Sequence, residues 1–163
     1  MAPVMTAWHQ LLESSAQARP DAPAVSYKSE TLSYRDLADA ALRCGAGLRG
    51  LGVGREDRVA VFLEKRLETV VGLLGTSVAG GAFVPVNPLL KAPQVAHVVR
   101  DCAARVLVTS ASRLEVLRDA LDQCPDLEAV VPLAGPAQPV PRGGLHPWSE
   151  VAAPQPTPAP PGP

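Results

Sequence analysis

Four short apolar segments alternate with amphipathic stretches between Arg58 and Val131, and this alternation limits the possible folds more than any other feature. The stretches between them carry apolar residues at helical spacing, for example Leu67, Val71 and Leu74. Unbroken apolar strands that alternate with helices are typical of a parallel sheet with helices on both faces. The predicted strands are RVAVFL (58–63), Ala82–Val86, VLVT (106–109) and EAVV (128–131). We therefore predict an α/β fold with a partial doubly wound, mostly parallel sheet and right-handed crossovers.

The segment SVAGGAFVPVNP (77–88) contains the second of these strands and the turns at both of its ends. Ala79, Gly80 and Gly81 predict a tight turn from helix to strand, because glycine accepts a positive φ. The strand itself is predicted to be buried on both sides. Asn87-Pro88 ends it at its carboxyl end, where open α/β sheets bind their ligands.

The first 57 residues predict a helix, a short hairpin and a second helix. Val4–Ala18 is the first helix, and Arg19-Pro20 ends it. The hairpin strands are Ala24–Tyr27 and Thr31–Ser33. The second helix ends at Gly52-Val53-Gly54. Helix-start signals occur at Ser33-x-x-Asp36, Pro93 and Ser112-x-x-Glu115.

Proline is concentrated at the end of the chain, where 11 of the 18 prolines lie from Pro132 onward. Proline removes backbone donors and resists both helix and sheet. We therefore predict one domain over residues 1–132 and a disordered, Pro-rich linker or tail over residues 133–163. One segment of this tail, LHPWSEV (145–151), is expected to be anchored, and the PxxP matches leave open a partner-binding role.

Charge and hydropathy exclude several classes of partner. The net charge of −1 predicts no binding to nucleic acid. The chain has no apolar run long enough to span a membrane and no basic, apolar leader, so a cytoplasmic location is expected. Cys44, Cys102 and Cys124 are widely spaced among apolar residues, which favours buried reduced thiols over metal ligands or disulfides.

Three motifs suggest ligand chemistry, but each has a simpler explanation. Gly45–Gly50 matches GxGxxG letter for letter. That motif binds a pyrophosphate only after a strand and at a helix N-terminus, whereas here it lies near the end of a predicted helix. Helix packing is therefore the favoured interpretation. His97 and Asp101 are interpreted as a solvated pair rather than an acid–base couple, and Glu64-Lys65-Arg66 as a charged cap, with ligand contact as the alternative.

Three segments in order resemble the start of the AMP-forming acyl-CoA ligases, within the adenylate-forming superfamily. They are LSYRDL (32–37), GVGREDRVAVFLEKRLETVVGLLGTSVAGGAFVPVNP (52–88) and QVAHVVRDCAARVLVTS (94–110). The resemblance covers about Trp8 to Val131. The sequences LEKRLETVV and FVPVNPLLKAPQVAHVVRDC are similar to those of ligases found beside exosortase-type protein-sorting systems.

This resemblance implies a two-step reaction that uses ATP, Mg²⁺ and coenzyme A. A carboxylic acid attacks the α-phosphate to give an acyl adenylate and pyrophosphate, and coenzyme A then displaces AMP. The family's phosphate loop, its Thr-Glu pair, its ribose-binding Asp and its C-terminal lysine have no matching positions here. We therefore assign no catalytic, cofactor-binding or metal residue. Arg113 lies where some relatives place an arginine that contacts coenzyme A, and it is not assigned either.

Three functions follow as hypotheses. In the first, the chain is an N-terminal fragment of an acyl-CoA ligase, inactive alone, whose partner is the missing remainder of the enzyme. In the second it is a non-catalytic α/β binding module. In the third it is an interaction protein that works through its Pro-rich tail.

Overall fold

A computed structural model of the chain describes residues 6–154. Within this range the helices and strands follow each other in nearly the predicted order. The helices are α1 (Trp8–Ala18), α2 (Tyr34–Gly50), α3 (Leu67–Ala79), α4 (Ala92–Asp101), α5 (Ala111–Leu117) and α6 (Trp148–Val151), with a 3₁₀ turn at Ala120–Gln123. The strands are β1 (Pro23–Tyr27), β2 (Glu30–Ser33), β3 (Arg58–Phe62), β4 (Ala82–Pro85), β5 (Val106–Ser110), β6 (Ala129–Leu133) and β7 (Gly144–Leu145).

Five of the strands form one parallel sheet in the order β4-β3-β5-β6-β7. The strands β1 and β2 form a separate antiparallel hairpin, as predicted. From β3 the chain first runs to β4 on one side and then crosses back to β5, β6 and β7 on the other side. The sheet is therefore wound in both directions from β3. The predicted α/β fold class is confirmed.

The two faces of the sheet carry two separate hydrophobic cores, because successive side chains of a strand point to opposite faces. Val59 and Val61 of β3 pack on the side of α1, α2, α3 and α6. Ala60 and Phe62 pack on the side of α4 and α5. The central strands are therefore buried on both faces, which explains their unbroken apolar sequence.

The strand β4 differs from the prediction, since it is not buried on both sides. It lies at the edge of the sheet, and Ala82 and Pro85 are exposed. The Ala82 amide donates to the carbonyl of Asp57, directly before β3, and the Val86 amide donates to Val61 of β3. The backbone nitrogens of Phe83 and Pro85 therefore point away from β3, toward the open edge. Because proline has no N–H, Pro85 leaves this edge with one free donor fewer, which disfavours pairing with another strand.

The turn before β4 uses its two glycines for different reasons. Gly80 caps α3 with a φ of 89°, in the left-handed region. Gly81 has no positive φ. A Cβ on Gly81 would lie 2.9 Å from Val53 Cγ1 and 3.1 Å from the Asp57 carbonyl oxygen. The predicted tight turn is present, but the reason for Gly81 is close packing.

Two of the predicted helix starts shift slightly, at α4 and α5. The helix α1 begins at Trp8, and the predicted start at Val4 lies outside the described residues. The helix α5 is capped by Ser110, whose Oγ accepts the Arg113 amide at 3.3 Å, so Ser112 is not the cap. Pro93 is the second residue of α4 and not its first. The Ser33 cap of α2 is confirmed by its bond from the Asp36 amide at 3.1 Å.

The anchored segment expected within the Pro-rich stretch is present. Leu145 pairs with Val130 of β6, and the His146 amide donates to the Val130 carbonyl. The helix α6 then places Val151 in the core against α2. The predicted disordered tail of residues 133–163 is therefore ordered at Leu133, which is buried at the end of β6, and at β7 and α6. Residues 155–163 lie outside the described range. No helix among residues 6–154 combines the length and apolarity needed to cross a membrane.

Candidate functional site

The carboxyl ends of β3, β4 and β5 bring a group of charged side chains together. Glu64 and Arg66 follow β3, and Arg113 lies in the first turn of α5, directly after β5. The strands β3 and β5 are neighbours in parallel, so the residues after them lie at the same edge of the sheet. This is the edge at which α/β sheets bind ligands.

Arg113 makes three contacts with its guanidinium group. Its Nε–H donates to Glu64 Oε2 at 2.8 Å, and its Nη1–H donates to the Pro88 carbonyl at 2.9 Å. The guanidinium carbon also lies 4.7 Å from the centre of the Phe62 ring. Arg113 therefore joins the ends of β3 and β5 to the loop that follows β4.

Arg66 and two glutamates form a second part of the same network. Arg66 binds both carboxylate oxygens of Glu68, at 2.9 and 3.2 Å, and approaches Glu64 Oε1 at 3.4 Å. The hydrogen bond from Arg113 is the main cause that lowers the pKa of Glu64 below its ordinary value of 4.5. Burial acts to raise the pKa of Glu68, but the bonds from Arg66 and the backbone outweigh it and the net pKa is lowered. Both carboxylates are ionised at neutral pH.

Two open cavities lie on either side of this network. The first, which we call the hairpin cleft, has a volume of about 400 Å³ and lies between the β1–β2 turn and the start of α3. The second, the loop cleft, has a volume of about 310 Å³ and lies between the loop after β4 and α5. The hairpin cleft is lined by residues 27–30, Glu64 and residues 66–68. The loop cleft is lined by Phe62, residues 88–92, Arg113, Val116 and Leu117.

The loop cleft combines an apolar wall with two cations. Leu89, Leu90 and Val116 supply apolar surface, and Lys91 and Arg113 supply positive charge. Such a lining fits a ligand that has an apolar part and an anionic group. The alternative that we left open for Glu64-Lys65-Arg66, contact with a ligand, is consistent with this placement. Lys65 itself is exposed and lines neither cleft.

The GxGxxG match lies inside α2 and serves helix packing, as favoured from the sequence. A Cβ on Gly45 would lie 2.5 Å from Val78 Cγ1 of α3, and one on Gly47 would overlap the Val151 carbonyl of α6. These glycines allow two neighbouring helices to approach the backbone of α2. The motif does not follow a strand or open a helix, so it presents no free amides to a phosphate.

The cysteines and the predicted His97–Asp101 pair lie away from the clefts. Cys44 and Cys124 are buried free thiols, as predicted, and Cys102 is half-buried. Burial raises the pKa of Cys44 to about 12. His97 and Asp101 are both exposed, and the nearest polar contact of His97 is Arg100 at 3.5 Å. Across residues 6–154, no three His, Cys, Asp or Glu side chains are grouped as metal ligands.

The pairing of Glu64 with Arg113 was missed from the sequence, because only part of the signal for it is present there. The two residues are 49 positions apart, but each follows a strand of the central part of the sheet. Once β3 and β5 are taken as neighbours, their carboxyl ends coincide. Predicting the contact requires the strand order, which the alternation of strands and helices does not contain.

Comparison with known proteins identifies the class of this chain. Residues 12–162 match the profile of the AMP-binding enzyme family, and the chain belongs to that family. Surfactin synthase subunit 3 of Bacillus subtilis is 38% identical over 105 residues, which is 64% of this chain and 8% of that protein. Gramicidin S synthase 2 of Aneurinibacillus migulanus is 32% identical over 120 residues, 74% of this chain and 3% of that protein.

Solved structures lead to the same class. An anthranilate CoA ligase in complex with anthranoyl-AMP matches with a TM-score of 0.84 and 26% identity, over 95% of this chain and 29% of its own. A fatty acyl CoA synthetase of Mycobacterium tuberculosis matches with a TM-score of 0.66 and 27% identity, over 71% of this chain and 23% of its own. The chain thus spans less than a tenth of these curated relatives and under a third of these solved structures.

Proposed function

We propose that this chain is the N-terminal part of an adenylate-forming acyl-CoA ligase. In that reaction a carboxylic acid and ATP give an acyl adenylate and pyrophosphate, and the thiol of coenzyme A then takes the acyl group. The observation that carries the proposal is the match of residues 12–162 to the AMP-binding enzyme family. The fit to a CoA ligase over 95% of the chain supports the choice of acceptor. We also propose that this ligase is of the type found beside exosortase systems, because LEKRLETVV and FVPVNPLLKAPQVAHVVRDC are similar to those ligases.

Peptide-synthetase adenylation is the second candidate, and sequence identity favours it. The surfactin and gramicidin S synthases are 38% and 32% identical to this chain, against 26% for the anthranilate ligase. The two candidates share acid activation and differ in the thiol acceptor. A comparison of free coenzyme A with a carrier-bound thiol therefore separates them.

The described residues do not fit Mg²⁺ or the ATP phosphates. The carboxylates of Glu64 and Glu68 bind arginines and are not free to hold a hard cation. The only GxGxxG match in the chain is occupied by helix packing. We propose that ATP and Mg²⁺ bind in those parts of the family's enzymes that this chain does not span, and that these 163 residues alone are inactive.

The loop cleft is our proposed contribution of this chain to the second step. Its apolar wall and its two cations, Lys91 and Arg113, fit the mixed apolar and phosphate chemistry of coenzyme A. Glu64 offsets part of the charge of Arg113, so Lys91 is the freer of the two cations. The role of the chain is then to position the thiol substrate, and the phosphoryl chemistry takes place elsewhere.

The domain division at residues 132 and 133 and the cytoplasmic location also remain proposals. Under them, residues 1–132 form part of the AMP-binding domain and residues 133–163 are a linker, part of which packs back against that domain through β7 and α6. The partners are a carboxylic acid, ATP, coenzyme A and the remainder of the ligase, with no nucleic acid.

Reconstitution tests this function. The gene is first sequenced beyond codon 163 for a Thr-Ser-Gly-rich loop that ends in Pro-Lys-Gly. If such a frame is found, its product is expressed separately and mixed with the chain. ATP–pyrophosphate exchange is then measured with a panel of carboxylic acids, and thioester formation with coenzyme A and with a carrier-bound thiol. We expect exchange only in the mixture and thioester with free coenzyme A. Absence of such a frame, or no exchange from the mixture, would support a non-catalytic module instead.

A further inference from the structure

Glu64 lies in the wall between the hairpin cleft and the loop cleft. Its backbone carbonyl accepts a hydrogen bond from Thr69 Oγ1 at 2.7 Å, which fixes the main chain of Glu64 to the first turn of α3. Its carboxylate divides between two arginines, with Oε2 on Arg113 at 2.8 Å and Oε1 near Arg66 at 3.4 Å. Glu64 therefore contacts an arginine of each cleft from a fixed backbone.

Arg113 links Glu64 to the loop on the other side of the loop cleft. Its Nη1–H donates to the carbonyl of Pro88, in the loop that lines the cleft, while its Nε–H donates to Glu64. The guanidinium plane is also supported by the Phe62 ring. Since Phe62 ends β3, Glu64 follows β3 and Pro88 follows β4, the side chain of Arg113 connects the loop to the end of β3.

The carboxylate of Glu64 is needed to hold the side chain of Arg113 in this geometry, because the other contacts of Arg113 are weaker. An arginine side chain loses considerable rotamer freedom when it is held in one geometry, and a charge-assisted hydrogen bond offsets more of that loss than a neutral one. Without Glu64, Arg113 retains one neutral acceptor and one aromatic face. Arg66 does not replace it, since Arg66 is a cation itself and is bound to Glu68 through two hydrogen bonds.

We propose that Glu64 is a positioning residue that acts through Arg113 to hold residues 88–91 against β3 and thereby set the width of the loop cleft. The inference rests on the proposed function in one respect, that the loop cleft receives the thiol substrate. The geometric part, that Glu64 controls the loop through Arg113, is testable without substrate.

Amide hydrogen exchange of the 163-residue chain, measured residue by residue by NMR, tests this control. The amides of Leu89, Leu90 and Lys91 donate to Asn87 or Gln94, at the two ends of the loop, so their exchange reports how well the loop is held in order. In Glu64→Gln we expect exchange at these three amides to become about two- to fivefold faster, the scale of one partly exposed ion pair. Exchange in the buried strand β5 is expected to stay unchanged.

A matched control is available at the opposite edge of the sheet. Glu128 pairs with Arg105 Nη2 at 2.7 Å, a pair of similar geometry and partial exposure. Glu128→Gln should leave exchange at residues 89–91 unchanged. Arg113→Lys keeps the charge but loses the fork of donors, and we expect it to open the loop as Glu64→Gln does. The double variant should then add little, because both changes break the same connection.

The Arg113 Nε–H signal supplies a readout that a merely structural role would not move. Because the bond from Arg113 lowers the pKa of Glu64, the pair is intact above pH 4.5 and is lost as the pH falls through the lowered value. The signal should therefore titrate below pH 4.5 in the parent chain and stay flat there in Glu64→Gln. The charged groups that face Glu64 are Arg66, Glu68 and Arg113, with Lys28 and Glu30 across the hairpin cleft.

The outcomes separate this inference from the proposed function. Faster exchange confined to residues 89–91 in Glu64→Gln and in Arg113→Lys supports the positioning role, whether or not the reconstituted protein activates acids. Unchanged exchange there, an equal rise throughout β5, or the same effect from Glu128→Gln overturns it. Reconstituted activity alongside unchanged exchange would keep the proposed function and remove Glu64 from it.

Discussion

The seam between α2 and α3 and the carboxyl edge of the sheet are built in opposite ways. At the seam, Gly75 of α3 faces Cys44 of α2, and Gly45 of α2 faces Val78 of α3, with space for no Cβ at either glycine. At the carboxyl edge, Glu64, Arg66 and Arg113 meet through long, partly exposed side chains beside open clefts. Close backbone packing leaves no room for a ligand, whereas the charged edge does. The glycine-rich sequence is therefore the structural region, and the edge is the candidate site.

The largest expected effect concerns Cys44, which lies in the seam. Burial raises its thiol pKa from 9.0 to about 12, which lowers the thiolate fraction near neutral pH by about 1000-fold. With a thiol-specific reagent at pH 8, we expect the half-buried Cys102 to react first and Cys44 to react only after unfolding in denaturant. Mass spectrometry of the labelled peptides gives the order. Rapid labelling of Cys44 in the native chain would show that the seam is open.

The next largest effect is expected at Gly75. A Cβ there would lie 2.6 Å from Cys44 Sγ and 3.3 Å from the Gly45 amide nitrogen, so the two helices must separate. Gly75→Ala should lower the free energy of unfolding by about 3 kcal/mol, at the upper end of the usual cost of overpacking. Urea unfolding measures it. Gly50→Ala is the matched control, because a Cβ on Gly50 meets no atom within 4 Å and should be neutral or slightly stabilising.

Smaller effects are expected at the turn before β4, where the two glycines act differently. Gly81→Val meets Val53 and the Asp57 carbonyl, and we expect a loss of about 2 kcal/mol. Gly80→Ala has open space but a φ of 89°, and should lose about 1 kcal/mol from the left-handed conformation alone. If urea unfolding shows that Gly80→Ala lowers the free energy of unfolding more than Gly81→Val, close packing is not the reason for glycine at position 81.

The sequence alone predicted the α/β class, the hairpin and the order of helices and strands. These depend on local periodicity and turn residues, such as the cap at Ser33 and the glycine at position 80. The position of β4 at the sheet edge was predicted wrongly, since an apolar strand with a proline does not by itself indicate where it lies in a sheet. Pro85 was the residue that pointed to an edge.

The candidate site was predicted less well, because it is formed by contacts between distant segments. The three segments that resemble the ligases identified the AMP-binding enzyme family, but Glu64 and Arg66, which lie in the second of them, were interpreted from the sequence as a charged cap. Arg113 was noted from that resemblance, while its bonds to Glu64 and Pro88 depend on the order of β4, β3 and β5. Gly45–Gly50 shows the opposite case, since the helix packing predicted for this motif from its place inside a helix is present in the structure.

Calorimetric titration of the 163-residue chain with Mg-ATP tests the central contrast most directly. If the glycines of α2 serve packing and the carboxyl edge has no site for Mg²⁺ and a triphosphate, the titration should give no measurable binding at micromolar ATP. Gly47→Ala is the companion variant, because a Cβ there would overlap the Val151 carbonyl and disturb α6. Micromolar affinity in the parent chain that is lost in Gly47→Ala, with α6 still in place by NMR, would contradict the account and assign Gly45–Gly50 to phosphate binding.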